Sequence, residues 1–92
     1  MTTLSDADIS TALEGRPGWT RAGDAITKDY AFDSFMDAIG FVDRIAERAE
    51  AANHHPDLEI HYNRVVVSLT THDAGGISQK DFDLAGEIDR CA

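Results

Sequence analysis

Four histidines occur in this 92-residue chain, and two of them, His54 and His55, stand side by side in EAANHHPDLE, Glu50 to Glu59. Imidazole is the side chain that both gives and takes a proton near neutral pH, so a clustered pair suits acid and base roles in one reaction. Glu50 precedes His54 by four residues, a spacing that puts both on one helical face and lets the carboxylate orient the ring. His72 joins this group only if the fold carries it there. The pair also has a plainer reading, because a protonated histidine at a helix C-terminus complements the helix dipole.

Metal binding is the rival chemistry, since two histidines and a carboxylate form a facial triad for ferrous iron and three histidines hold zinc. Neighbouring residues on a helix point roughly 100° apart, so His54 and His55 do not converge on one ion without a break in the backbone. The chain has no HExxH, no paired cysteines and no calcium loop, and no metal is expected. Ser68 and Cys91 have no nucleophile motif around them, and there is no glycine-rich phosphate loop. Asp81 falls in Ser78-Gln79-Lys80-Asp81, an S-x-x-D pattern that reads as a capping box. Trp19, the only tryptophan, reads as a core residue or as a flat ring able to stack on a planar ligand. His61 and Asn63 read as hairpin residues facing water.

These side chains need elements to position them. SDADISTALEG reads as a first helix, with Ser5 as cap, Asp8 at the acidic capping-box position, Ile9 and Leu13 on one face and Gly15 as terminator. A Gly23-Asp24 turn between two short runs predicts a hairpin, with Ile26, Lys28 and Tyr30 alternating against Ala25, Thr27 and Asp29. From Asp33 to about Asn53 the apolar residues Phe35, Ile39, Val42, Ala46 and Ala49 recur at helical steps, broadened by Phe41 and Ile45. Pro56 cannot continue a helix ladder, so this long helix ends near the two histidines. LEIHY and VVVSLTTH then predict a second hairpin turning at Asn63-Arg64, with Val65, Val67, Leu69 and Thr71 on one face and Thr70 and His72 on the other. His72 thus falls at a strand end. HDAGGIS is a loop, and a last helix follows Ser78 with Leu84, Ile88 and Cys91 inward. The expected class is α+β: a four-stranded antiparallel sheet with three helices packed on one face, order α-β-β-α-β-β-α, as one domain over residues 1–92.

Composition narrows the partners. With 17 acidic against 8 basic residues the formal charge is −9, which repels nucleic-acid backbones and anionic lipid. No apolar run approaches the ~20 residues that span a bilayer, and MTTLSDADIS lacks the basic start and apolar stretch of a signal peptide. Cys91, the single cysteine, forms no internal disulfide. A cytoplasmic protein is expected.

The spacing of the candidate residues carries one further reading. Glu50, three residues, His54-His55-Pro56, then Tyr62, nine residues to His72 and eight more to Asp81 resembles the signature of the pterin-4a-carbinolamine dehydratases. Gly18-Trp19, the long middle helix, YNRVVVSLTTH and the GGIS loop fall in the same order, so the resemblance covers nearly the whole chain. It implies loss of water from 4a-hydroxytetrahydropterin to give quinonoid dihydropterin, in the recycling of tetrahydrobiopterin for aromatic amino acid hydroxylases. It also implies that His54, His55 and His72 are catalytic, Glu50 and Asp81 supporting, and Trp19, Asn53, Thr70 and Thr71 in contact with substrate. Asn53 stands where some members have Asp, so a carboxylate contribution there is missing. The implied chemistry uses no cofactor. The implied partners are the pterin, a hydroxylase of the same pathway and further copies of the chain as dimer or tetramer. The alternative within the resemblance is a non-catalytic pterin-binding or interaction module, since animal members stabilise dimers of a homeodomain transcription factor.

Overall fold

The computed structural model describes residues 2–92 and has the element order α-β-β-α-β-β-α. Helix α1 (Asp6–Glu14) starts at Ser5, whose hydroxyl accepts from the Asp8 amide at 3.1 Å. Strands β1 (Thr20–Ala22) and β2 (Ala25–Ala31) form a hairpin around Gly23, which takes the positive φ of 62° that the tight turn needs. Helix α2 (Phe35–Ala52), strands β3 (Asp57–His61) and β4 (Arg64–Leu69), a short 3-10 turn (His72–Ala74) and helix α3 (Gln79–Cys91) complete the chain. All pairings are antiparallel and the spatial order is β1-β2-β4-β3, so α2 carries the chain from β2 across β4 to the far edge.

One sheet face is covered. Ile26 opposes Leu69, Lys28 opposes Val67 and Tyr30 opposes Val65, which puts these six on one side, and all but Lys28 are buried. Phe41 and Ile45 of α2 and Leu84 and Ile88 of α3 complete that core at 0–2% exposure, each worth about 1.5–3 kcal/mol of transfer free energy. The opposite face, with Asp29, Arg64, Val66 and Ser68, stays open, and Asp29 and Arg64 form an ion pair there.

Three local expectations are corrected. The buried stripe of α2 is Ala38, Phe41, Ile45 and Ala49, so the line through Phe35, Ile39, Val42 and Ala46 lies on the flank, half or fully exposed. Two apolar stripes compete on this helix, and the one bearing Phe41 and Ile45 at mid-helix faces the sheet. The second hairpin turns one residue early, at Tyr62-Asn63, with His61 opposite Arg64. Asn63 does not face water: its side-chain amide donates to Phe32 O at 2.8 Å and its carbonyl accepts from Phe32 N at 2.8 Å. With Asn63 held in this way, Tyr62 takes the left-handed backbone, φ 53°, which is costly for a bulky residue and persists because both flanks are fixed.

Asp89 of α3 ties the sheet to the helices. Its carboxylate accepts from the Trp19 indole at 3.1 Å, the Lys28 ammonium at 2.9 Å and the Tyr30 hydroxyl. Burial pushes the Asp89 carboxyl up, but the hydrogen bonds from Tyr30, Lys28 and Trp19 and the lysine charge outweigh it and hold the group below the usual carboxylate value. Burial, and then the carboxylate opposite, push the Tyr30 phenol far above its ordinary value.

Candidate active site

The site is built where α2 ends. Asn53 takes the left-handed conformation, φ 50° and ψ 42°, the His54 amide donates to Ala49 O at 3.1 Å, and the Asn53 amide donates to Glu50 O at 3.2 Å. This is a Schellman-type termination, and Asn is the residue after Gly that best tolerates it. The reversal supplies the backbone break that a straight helix would lack, so His54 and His55 leave the helix in different directions.

His54 turns inward. Its Nε2 lies 2.6 Å from Oδ1 of Asp81, a residue of α3 at 0% exposure. The second Asp81 oxygen accepts from the Thr71 hydroxyl at 2.9 Å and from the Ser78 backbone amide at 2.9 Å, the latter being the carboxylate half of a capping box. Because Thr71 spends its one proton on Asp81, the 2.7 Å contact between Thr71 and Ser78 hydroxyls has Ser78 as donor. Every polar atom of this buried group is thereby satisfied, as the low local dielectric requires. Asp81 thus caps its helix and grips an imidazole at once.

His55 turns outward and pairs with Glu50 through its Nε2. This corrects the expected Glu50–His54 pairing: the i,i+4 rule assumes a continuing helix, whereas the reversal at Asn53 swings the next residue but one back over the last turn. The two pairs differ in setting, since His54 and Asp81 side chains are 11% and 0% exposed and His55 and Glu50 are 56% and 76% exposed. In both histidines a carboxylate accepts at Nε2, which fixes the tautomer and leaves Nδ1 as the free ring atom.

His72 opens the 3-10 turn just past β4, and Thr71, which precedes it, bridges to Gly76. The turn places the His72 ring at the same hollow as the other two. This cavity, about 200 Å³, is lined by His54, His55 and His72 together with Asn53, Thr70 and Thr71. Thr70 also donates to Asp24 O at 2.6 Å, which anchors this wall to the β1–β2 turn. His72 is exposed and its ring forms no hydrogen bond among the described residues.

Two further lining residues, Asp73 and Lys80, escaped the sequence reading. Each is the immediate neighbour of a residue already singled out, His72 and Asp81, and that adjacency was the available signal. Trp19 does not line this hollow. It is 4% exposed, in the core, with its indole on Asp89. Asp89 and the Tyr30 ring, edge-on at 6.4 Å, occupy its surroundings. Among the described residues no cluster of three or more His, Cys, Asp or Glu side chains is placed to hold a metal ion.

The family model for pterin 4 alpha carbinolamine dehydratase matches residues 2–91. The chain belongs to that family. A Picosynechococcus protein named "Putative pterin-4-alpha-carbinolamine dehydratase" is 52% identical over 89 residues, 97% of each chain. One of the same name from Roseiflexus is 56% identical over 88 residues, covering 96% of this chain and 95% of that protein. A solved dehydratase-family structure from Brucella melitensis, described as a transcriptional coactivator/pterin dehydratase, superposes with a TM-score of 0.95 at 33% identity, covering 99% of both chains. A pterin dehydratase-like protein described as a RuBisCO assembly factor in the alpha-carboxysome shares the fold at a TM-score of 0.66 and 21% identity, over 80% of this chain and 86% of that one. The dehydratase family thus accounts for the element order, and no helix among the described residues is long and apolar enough to cross a membrane.

Proposed function

We propose that this chain dehydrates a 4a-hydroxytetrahydropterin to the quinonoid dihydropterin by histidine acid–base catalysis. The observation that carries the reading is the opening of three imidazoles on one hollow: two backed by carboxylates with Nδ1 free, and one unengaged at both nitrogens. The reaction needs little else. A proton is delivered to the hydroxyl on C4a, the C4a–O bond breaks, the N5 lone pair forms the C4a=N5 bond, and the N5 proton is removed, so that water leaves and no redox change occurs. Positioned acid and base groups each contribute ~10² to 10⁴ in rate.

In this reading His54 and His72 exchange the two protons, His55 polarises the ring, the Asn53 amide and the Thr70 hydroxyl oxygen offer it hydrogen-bonding partners, and Thr71, whose hydroxyl proton is held by Asp81, lies against it as part of the wall. Asp81 orients His54, and Glu50 orients His55. The enzyme would act beside a pterin-dependent hydroxylase, in cofactor recycling in the cytoplasm. Copies of the chain would associate through the partly exposed flank of α2, Phe35, Ile39 and Val42, or the open edge of β3. Carbinolamine generated by a hydroxylase and followed in the presence of trace purified protein tests the activity: its decay should accelerate in proportion to added protein. Unchanged decay would favour the second reading, a pterin-binding or interaction module, which the coactivator and assembly-factor descriptions of the two solved relatives bring forward.

A further inference from the structure

Thr71 stands between two of the three imidazoles. Its backbone starts the turn that carries His72: the Thr71 amide donates to Gly76 O at 3.0 Å, and the Thr71 carbonyl accepts from the amides of Ala74, Gly75 and Gly76 at 3.1, 3.0 and 3.2 Å. Its side chain leads toward the other ring. The hydroxyl donates to Asp81 Oδ2 at 2.9 Å and accepts from the Ser78 hydroxyl at 2.7 Å, while Asp81 Oδ1 lies 2.6 Å from Nε2 of His54. Thr71, Ser78 and Asp81 are 4%, 1% and 0% exposed, so water does not compete for these bonds and each is stronger for it.

We infer that Thr71 is a positioning residue that ties His54 to His72, through its side chain on Asp81 and its backbone in the turn, and that its hydroxyl is no substrate ligand. A carboxylate has a broad, roughly two-fold preference about its last torsion, so one hydrogen bond leaves it free to swing. Asp81 is gripped at Oδ2 by two donors, the Thr71 hydroxyl and the Ser78 amide. That grip aims Oδ1 at His54, which keeps the ring proton on Nε2 and leaves Nδ1 free. The chain of donors runs one way, from Ser78 to Thr71 to Asp81, and each bond polarises the next. Because the same residue fixes where His72 begins, the separation of the two rings is set without a flexible link. A misplacement of about 1 Å can cost ~10² in rate. The consequence for turnover rests on the proposed dehydration, whereas the consequence for the His54 tautomer does not.

Thr71→Val keeps the shape and the backbone but cuts the bond to Asp81, and Thr71→Ser keeps the bond. Ring-nitrogen NMR spectra of the full chain in mildly alkaline buffer, with His54 assigned by its loss in His54→Gln, read the tautomer directly. Wild type and Thr71→Ser should hold the His54 proton on Nε2, and Thr71→Val should show the two tautomers mixed. In the carbinolamine assay Thr71→Val should lose roughly ten- to hundredfold in kcat, with Thr71→Ser restoring most of it. The affinity of 6-methyl-7,8-dihydropterin, measured by calorimetry, should stay within about twofold, because no substrate bond is removed. An unmixed tautomer and full kcat in Thr71→Val overturn the inference, and so does a loss of dihydropterin affinity at constant kcat, which would make Thr71 a substrate contact. Should Thr71→Val fail to fold, Ser78→Ala cuts the chain one bond earlier and should mix the tautomers to a smaller extent; an unmoved tautomer there, or mixed tautomers already in the wild type, overturns it. A wild type inactive on carbinolamine defeats the dehydration alone, and the tautomer comparison still decides the role of Thr71.

Discussion

Asp81 Oδ1 and His54 Nε2 lie 2.6 Å apart, and the carboxylate is wholly buried with its other oxygen shared between Thr71 and the Ser78 amide. One side chain thus caps α3, closes the loop after β4 and fixes the tautomer of an imidazole. Asp81→Asn keeps the shape but offers a single carbonyl oxygen to three donors and turns an N–H toward one of them. It should lose about 1–3 kcal/mol of stability, and turnover should fall at least tenfold. Urea unfolding and the dehydration assay read the two losses. A variant with full stability and full turnover would remove Asp81 from both roles.

His72→Ala separates chemistry from folding. The ring is exposed and forms no hydrogen bond among the described residues, so stability should fall by no more than about 0.5 kcal/mol. Turnover should fall by ~10² or more, the contribution of one positioned acid or base. Near-normal turnover would take His72 out of the mechanism.

The Glu50–His55 pair faces water. Glu50→Gln should cost at most about 1 kcal/mol, as exposed ion pairs do, and its effect on turnover should shrink as salt is raised. A loss as large as that of Asp81→Asn, undiminished by salt, would contradict a minor, solvent-screened role for the outward pair.

Trp19→Phe tests the placement of the tryptophan. The change removes the indole donor to Asp89 and should lower stability by about 0.5–1.5 kcal/mol, with dihydropterin affinity unchanged. Loss of affinity without loss of stability would put Trp19 in contact with substrate.

Asp89 sets part of the acid stability. Its carboxyl lies below the usual value in the folded state, so protonation favours the unfolded chain. The contribution is complete above the unfolded value near 4 and is lost as pH falls through the lower folded value. Urea midpoints measured from pH 6 downward should fall along this limb in the wild type and less steeply in Asp89→Asn. Parallel profiles would contradict the assignment.

Much of the fold was legible because its signals are local. Alternation in VVVSL, the Gly23-Asp24 turn and Pro56 mark strands and boundaries that the structure has, whereas the strand expected to run on through His72 stops at Leu69 and gives way to a bridge at Thr71 and a 3-10 turn. The failures share a cause: each depends on a distant partner. Asn63 turns inward because Phe32, far off in sequence, supplies both halves of a hydrogen-bonded pair. The buried stripe of α2 is chosen by the sheet beneath it. The candidate site divides the same way. The family resemblance grouped the three histidines, Glu50 and Asp81. That resemblance did not tell which carboxylate serves which ring, because this follows from the left-handed Asn53: Asn at a helix end with Pro three residues on signals where the helix stops, but not which way each ring then points. Asp73 and Lys80 carry no periodic signal at all.

The central claim is that three imidazoles around one hollow hand protons across a bound carbinolamine. Carbinolamine decay should be compared with trace wild-type protein, with a His54→Gln, His55→Gln, His72→Gln variant of intact circular dichroism, and with buffer. The wild type should accelerate decay by orders of magnitude while the variant returns to the buffer rate. A wild type no faster than buffer, or a variant as fast as the wild type, would contradict it.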